Sequence, residues 1–360
     1  MVESLRYGIV GTGMMGVEHI RNLAILEGAQ VVAIADPEPT SLGWAREALG
    51  GADVAEYADS ASMIANAGLD AVVVVSPNFT HRAVLEPLLD SDVAILCEKP
   101  LCTTMDDARW VTQRAEGRAA PFWTGMEYRF SPPAAAFVEA VHGGKVGTLR
   151  MFAIREHRFP FLVKVGDWNR FSANTGGTMV EKCCHFFDLM RLVTQSEPVR
   201  VYCSGAMDVN HLDERYAGRT PDIIDNSFTT VDFADGSRAL LDLCMFAEGA
   251  EHQEEMSATG DKGRLDVLIP PGDLVWSPRV PWPGPKAVER WHVEVDAAAM
   301  DAGSHHGATF YQHEAFARAV RGEGDVQVSA RDGLMAVAIG AAAELSARDK
   351  RVVEMAEILG

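Results

Sequence analysis

Short, continuously apolar runs alternate with helically spaced segments through the first third of the chain. Residues 7–10, the VVAIA run ahead of Asp36, and residues 71–75 and 93–96 are β-rich and apolar at successive positions. That is the pattern of parallel strands covered on both faces, and the intervening stretches, MMGVEHIRNLAIL among them, read as crossover helices. Further on the pattern changes. FTTVDFADGSRALLDLCMF and EEMSATGDKGRLDVLI alternate and turn at glycine, as antiparallel strands do. TMVEKCCHFFDLMRLV places Met179, Val180, Cys183, Cys184, Phe187, Met190 and Leu192 at the spacing of a helix with a wide buried face. PPGDLVWSPRVPWPGP, residues 270–285, is too dense in proline for a helix or a central strand and is expected to be a surface excursion. An Ala-rich helix over about 330–348 is expected to return against the first domain. The fold class expected is α/β, with a doubly wound parallel-sheet domain over 1–125 and a second α/β domain over 126–360.

Length and composition agree with two soluble domains: 360 residues, 48% hydrophobic and 23% charged. A net charge of -19 argues against a nucleic-acid partner, which needs a dense basic face. Dinucleotides stay open, because backbone amides can hold their phosphates. The six cysteines, at 97, 102, 183, 184, 203 and 244, form no C-x-x-C pair and suit reduced thiols. With no basic leader followed by an apolar run and no stretch of the roughly 20 apolar residues a membrane span requires, a cytoplasmic protein is expected.

Gly11, Gly13 and Gly16 follow the first apolar run in G-x-G-x-x-G spacing, with Met14 and Met15 between the last two. The first glycine allows a tight turn, the second lets a pyrophosphate approach the backbone, and the third lets the helix pack on the strand. Asp36 ends the second run, where an acid can accept the adenosine ribose hydroxyls and repel a 2'-phosphate. Pro37, Glu38 and Pro39 bring no cation near it, so NAD is favoured over NADP. Functional residues in such a sheet sit past the strand tips, here Ser76, Pro77, Asn78 and His81, then Glu98, Lys99 and Pro100. The Lys-Pro bond stiffens the backbone that presents the Lys99 ammonium.

GTGMMG, the AD of 35–36, SPN with His81, EKP at 98–100, YRFSP, GGKVG, GGTMVEKCCHFFD, FADGS and ATGDKGRL together resemble the Gfo/Idh/MocA family of NAD(P)-dependent oxidoreductases over nearly the whole chain. The resemblance implies a Rossmann domain followed by an α/β domain with a large, open-faced, mostly antiparallel sheet that mediates homodimers or homotetramers. It also implies action on sugars, inositols or related alcohols. Its catalytic lysine and histidine fall on Lys99 and His185, and Glu181 stands where the family usually has aspartate. The extra methylene moves that carboxylate by about 1.5 Å.

Glu181, His185 and Asp188 are four and three apart, on one side of a helix. A metal reading would need further ligands from distant segments, and a core histidine anchored by Asp188 is the plainer alternative; no metal is expected. Arg155, His157, Trp168, Asn169, Arg170 and Asn174 offer donors, acceptors and a flat apolar surface suited to a hydroxyl-rich ring. His305 and His306 are read as loop residues. The activity expected is oxidation of a secondary hydroxyl of a cyclic polyol or sugar, with His185 as base and Lys99 stabilising the oxygen, or the reverse. Alternatives are glycoside cleavage or elimination through transient oxidation by retained NAD, and a silent NAD(H)-sensing regulator.

Overall fold

The computed structural model describes residues 4–360 and divides into two compact units. The first holds the chain through Tyr128 with Lys164–Trp168 and Asp296–Val337; the second holds Arg129–Val163, Asn169–Val295 and Ala338–Gly360.

Six strands build the sheet of the first unit: β1 Leu5–Val10, β2 Ala29–Ala35, β3 Ala55–Tyr57, β4 Ala71–Val74, β5 Ala94–Glu98 and β6 Phe122–Gly125. Every pairing is parallel and the order is β3-β2-β1-β4-β5-β6. Tyr7, Ile9, Val72, Val73, Ile95 and Leu96 are wholly buried, as continuous apolar runs demand when helices cover both faces. The strand order reverses between β1 and β4, whose carboxyl ends lie level at Val10 and Val74. A crevice opens at such a switch point, and the glycine loop, the Ser76–Asn78 turn and Glu98–Lys99 all leave the sheet at this edge.

The second unit holds β7 Leu149–His157, β8 Pro198–Ala206, β9 Asn226–Phe233, β10 Arg238–Cys244, β11 Glu254–Gly260, β12 Gly263–Ile269, β13 Asp273–Pro278, β14 Glu289–His292 and β15 Val353–Glu354. They form one sheet in the order β14-β13-β12-β11-β7-β10-β9-β8-β15, antiparallel except where β7 meets β10. Phe152, Ile154, Val231, Leu241, Met256 and Val267 bury one face, while Met151, Tyr202 and Phe228 stand exposed on the other strand parity.

Two expectations need correction. β13 lies between β12 and β14, inside the segment expected to be wholly a surface excursion. Its prolines bracket the strand, so the N–H donors from Asp273 to Ser277 survive, and Leu274 and Trp276 alternate into the core. Only the following stretch, 279–288, is an excursion, with Trp282 at 93% exposure.

The helix expected through residue 193 is also broken, into Thr178–Glu181 and Cys184–Thr194. The Thr178 carbonyl accepts from both Lys182 N, at 3.0 Å, and Cys183 N, at 3.2 Å. That widened turn shifts the phase of everything after it. The Ala330–Asp349 helix is shared: residues 330–337 pack in the first unit, where Gly333 lies against Thr124 and Leu101, and the remainder belongs to the second. Among the described residues no helix is long and apolar enough to cross a membrane.

Candidate cofactor cleft and acid–base site

Each glycine of the first loop has a distinct reason to lack a side chain. At Gly11, with φ +94°, a Cβ would lie 2.5 Å from Ser76 N; at Gly16 it would lie 2.2 Å from the Gly11 carbonyl oxygen. At Gly13 it would meet nothing within 4 Å. The first two are needed by the protein's own packing, and the third leaves an open cradle. Met14, exposed, and Met15, half-buried, begin a helix of 12 residues whose first N–H groups have no side-chain cap.

Asp36 is held in place by three donors: Thr12 N at 2.7 Å, Thr12 Oγ1 at 3.1 Å and Glu38 N at 2.8 Å. Its oxygens keep lone pairs for further donors. Asn78 is buried with its Nδ2 lacking a hydrogen-bond partner among the described residues. The open Gly13 cradle, the uncapped helix start and this orphaned amide fit a dinucleotide. Ser76 and Pro77 are tied into the turn by Thr80 Oγ1, at 2.8 and 2.7 Å.

His81 sits differently from the other predicted cofactor residues. It is fully buried, with Nδ1 2.9 Å from the Pro100 carbonyl and Nε2 3.0 Å from the Ser76 carbonyl, and burial pushes its proton affinity down. It clasps the tip of β4 to the turn after β5. Lys99 follows directly on β5, and its N–H donates to Glu98 Oε2 at 3.1 Å. Glu98, Glu127, His19 and His313, in the same unit, are all buried.

In the second unit Glu181, His185 and Asp188 are all buried. Asp188 binds the Arg129 guanidinium through both carboxylate oxygens. Glu344 accepts Met179 N at 2.9 Å and stands where a Cβ on Gly177, at φ +91°, would come within 2.2 Å. Lys182 Nζ reaches the wholly buried Glu156 at 3.0 Å. The two halves of the broken helix are thus pinned separately.

Strand parity separates the polar residues of β7. Glu156 faces the helix, whereas Arg155 and His157 point to the opposite face and pair with Glu255 and Asp242 on neighbouring strands. The structure does not bring these two together with His185. Arg170 is buried, with Nε 3.0 Å from Glu214, and Asn169 donates to the Leu162 carbonyl at 3.1 Å. Burial pushes Glu214 up, but bonds from His211 and Tyr216 and the Arg170 charge hold it at about 2. Trp168 belongs to the first unit, where its ring meets Phe79 at 6.0 Å; Asn174 is half-buried in a short helical turn of the second.

Arg129, Glu344 and Lys182 escape a reading by spacing because their partners are 59, 165 and 26 positions away. Only the position of Arg129 in YRFSP signals any of them. Among the described residues no group of three or more His, Cys, Asp or Glu side chains is arranged to hold a metal ion.

A doubly wound parallel sheet with this glycine cradle, in a chain that also carries the acid and imidazole of the broken helix, defines a nucleotide-dependent oxidoreductase. The chain belongs to the Gfo/Idh/MocA oxidoreductase family: its NAD-binding Rossmann fold matches residues 5–126 and its C-terminal alpha/beta domain residues 138–355. The rhizopine catabolism protein MocA of Rhizobium meliloti is 28% identical over 97% of both chains. A myo-inositol 2-dehydrogenase of Thermotoga maritima is 25% identical over 99% of this chain and 100% of its own. The fold is shared with a scyllo-inositol dehydrogenase of Lactobacillus casei solved with NAD(H) and scyllo-inositol, at a TM-score of 0.78 and 24% identity over 98% of this chain and 100% of that one.

Proposed function

We propose that the protein is an NAD-dependent dehydrogenase that oxidises a secondary hydroxyl of a cyclic polyol or sugar. The carrying observation is the placement of Lys99 on the sheet edge that also bears the open Gly13 cradle, in a chain similar over its whole length to an inositol dehydrogenase. The Gly11–Gly16 loop would hold the pyrophosphate, and Asp36 the adenosine ribose. An acid at position 36 favours NAD over NADP by repelling a 2'-phosphate.

Bound NAD supplies the hydride acceptor. The hydroxyl proton must leave in the same reaction, and Lys99 and His185 are the groups proposed to take it and to stabilise charge on the oxygen. Glu181 orients His185 or binds a neighbouring hydroxyl. Trp168 and Asn174 keep the substrate-binding role expected of them, while Asn169 and Arg170 act by holding the loop through Leu162 and Glu214. The exposed Met151, Tyr202 and Phe228 on the open sheet face support homo-oligomerisation through it.

The test is an NAD-reduction screen across inositol isomers, monosaccharides and sugar acids. Sustained NADH formation with at least one cyclic polyol or sugar is expected. Release of a cleaved sugar without NADH, or no turnover on any member, would overturn the reading.

A further inference from the structure

Oxidation of an alcohol by NAD leaves one proton that must reach water. We propose that Glu127 and His305 are the exit path for that proton from Lys99, an inference that rests on the dehydrogenase reading above. All of the residues concerned lie in the first unit.

Two buried carboxylates feel the charge of Lys99, and their surroundings give them opposite characters. Glu98 is clamped. Its Oε1 is 3.2 Å from His19 Nε2 and its Oε2 accepts the Lys99 N–H. Gly125 crowds it so closely that a Cβ there would stand 2.7 Å from Oε1. Burial pushes Glu98 up, but the His19 bond and charge bring it below the ordinary carboxylate range. Behind it His19 Nδ1 meets His313 Nε2 at 2.8 Å, and His313 is wholly buried, edge-on to Tyr7. This branch leads nowhere a proton can leave.

Glu127 is the other case. It is buried, and burial followed by the negative charge of Glu98 raises it to about 7, while His305 and Lys99 act in the opposite sense. Two like charges in one pocket force one group to hold a proton near neutrality, and here that group is Glu127. Its neighbour on the outer side is His305, whose Nε2 is 3.9 Å from Glu127 Oε1 and whose side chain is 22% exposed. A small rotation or one bridging water closes that distance.

The orientation of His305 is fixed from behind. Its Nδ1 is 2.6 Å from Glu18 Oε1, and Glu18 also accepts from Ser304 N, Ser304 Oγ and Thr309 Oγ1. Despite burial, these donors hold Glu18 at about 2, so it stays ionised and keeps the Nδ1 proton. Nε2 is left to face Glu127. The Tyr128 ring lies 6.4 Å away between centroids.

The transfers balance. The hydroxyl proton moves to the Lys99 amine as the C–H pair of electrons leaves with hydride. Glu127 hands the proton it holds to His305 Nε2 and takes the proton of the Lys99 ammonium in its place, and His305 releases one proton to water. The sum is alcohol and NAD giving carbonyl compound, NADH and one solvent proton.

Two measurements decide it. On whichever substrate the screen identifies, Glu127→Gln and His305→Ala are expected to lower kcat about tenfold or more near neutrality, within the range of acid–base contributions. Added imidazole restores most of the loss in His305→Ala, which a merely structural role would not allow. Wild-type kcat in both variants, or a loss that imidazole leaves untouched, overturns the proposal. Independently of any substrate, carboxyl 13C NMR of the glutamate-labelled protein should show a group titrating near pH 7, separate from that of Glu344, that vanishes in Glu127→Gln and persists in Glu344→Gln. Absence of that titration overturns the relay even if the polyol reading stands, and a failed screen with the titration present removes the polyol reading alone.

Discussion

Asp188 grips Arg129 with both carboxylate oxygens, and the pair is nearly out of water, at 1% and 11% side-chain exposure. Three residues ahead of Asp188 on the same helix stands His185, so the ion pair fixes the rotation at which that imidazole is presented. Arg129→Met would leave a buried carboxylate uncompensated and is expected to destabilise the fold by about 3–5 kcal/mol. Urea denaturation measures it. A loss within about 0.5 kcal/mol, the range of ordinary surface changes, would mean that the helix is held without this pair.

Lys99→Ala and His185→Gln should separate binding from chemistry. Each is expected to keep NAD affinity in a fluorescence titration and to lose turnover by about 10²–10⁴-fold, the contribution of a positioned acid or base. Substantial turnover in either variant would remove that residue from the mechanism.

The glycine loop offers a contrast between two substitutions that spacing alone treats alike. Gly13→Ala adds a methyl group into open space at φ -69°, so its melting temperature should match wild type while NAD affinity falls about tenfold or more, or 1.4 kcal/mol. Gly16→Ala drives a Cβ to 2.2 Å from the Gly11 carbonyl and should destabilise the protein itself. Equal melting temperatures for the two, with equal affinities, would show that the cradle at Gly13 is not where the phosphates lie.

Glu344 gives the second unit a pH-dependent stability of predictable sign. Burial is the main cause of its rise from 4.5 to about 7; the Met179 N–H partly offsets it, and the like charge of Asp222 adds to it. Between those values the unfolded chain has lost the proton and the folded chain keeps it, so stability falls as pH rises and then levels off. The span is worth roughly 3 kcal/mol. Glu344→Gln still accepts from Met179 but cannot ionise. It should melt close to wild type near pH 4.5 and above it near pH 7.5. A difference that does not change with pH would place the Glu344 titration elsewhere.

Much of this protein was legible in the order of its residues. Runs apolar at successive positions give strands that helices cover on both sides, and G-x-G-x-x-G before a helix gives the cradle, because both depend on neighbours within a few positions. The sequence by itself also marked EKP and the Glu181–His185–Asp188 series, whose types and spacing are local. What tertiary structure alone decided are the long-range pairings. Proline density in 270–285 hid β13, because the prolines fall at its ends and the alternation of Leu274 and Trp276 occupies only the middle. Strand parity puts Arg155 and His157 on the face opposite Glu156, paired with Glu255 and Asp242, which their spacing in the chain does not reveal. His305 is a loop residue, as read from the sequence, but its pairing with Glu18, 287 positions earlier in the chain, is not legible there. Local pattern sets which elements form. Which charge is buried beside which other charge is a property of packing, and no periodicity records it.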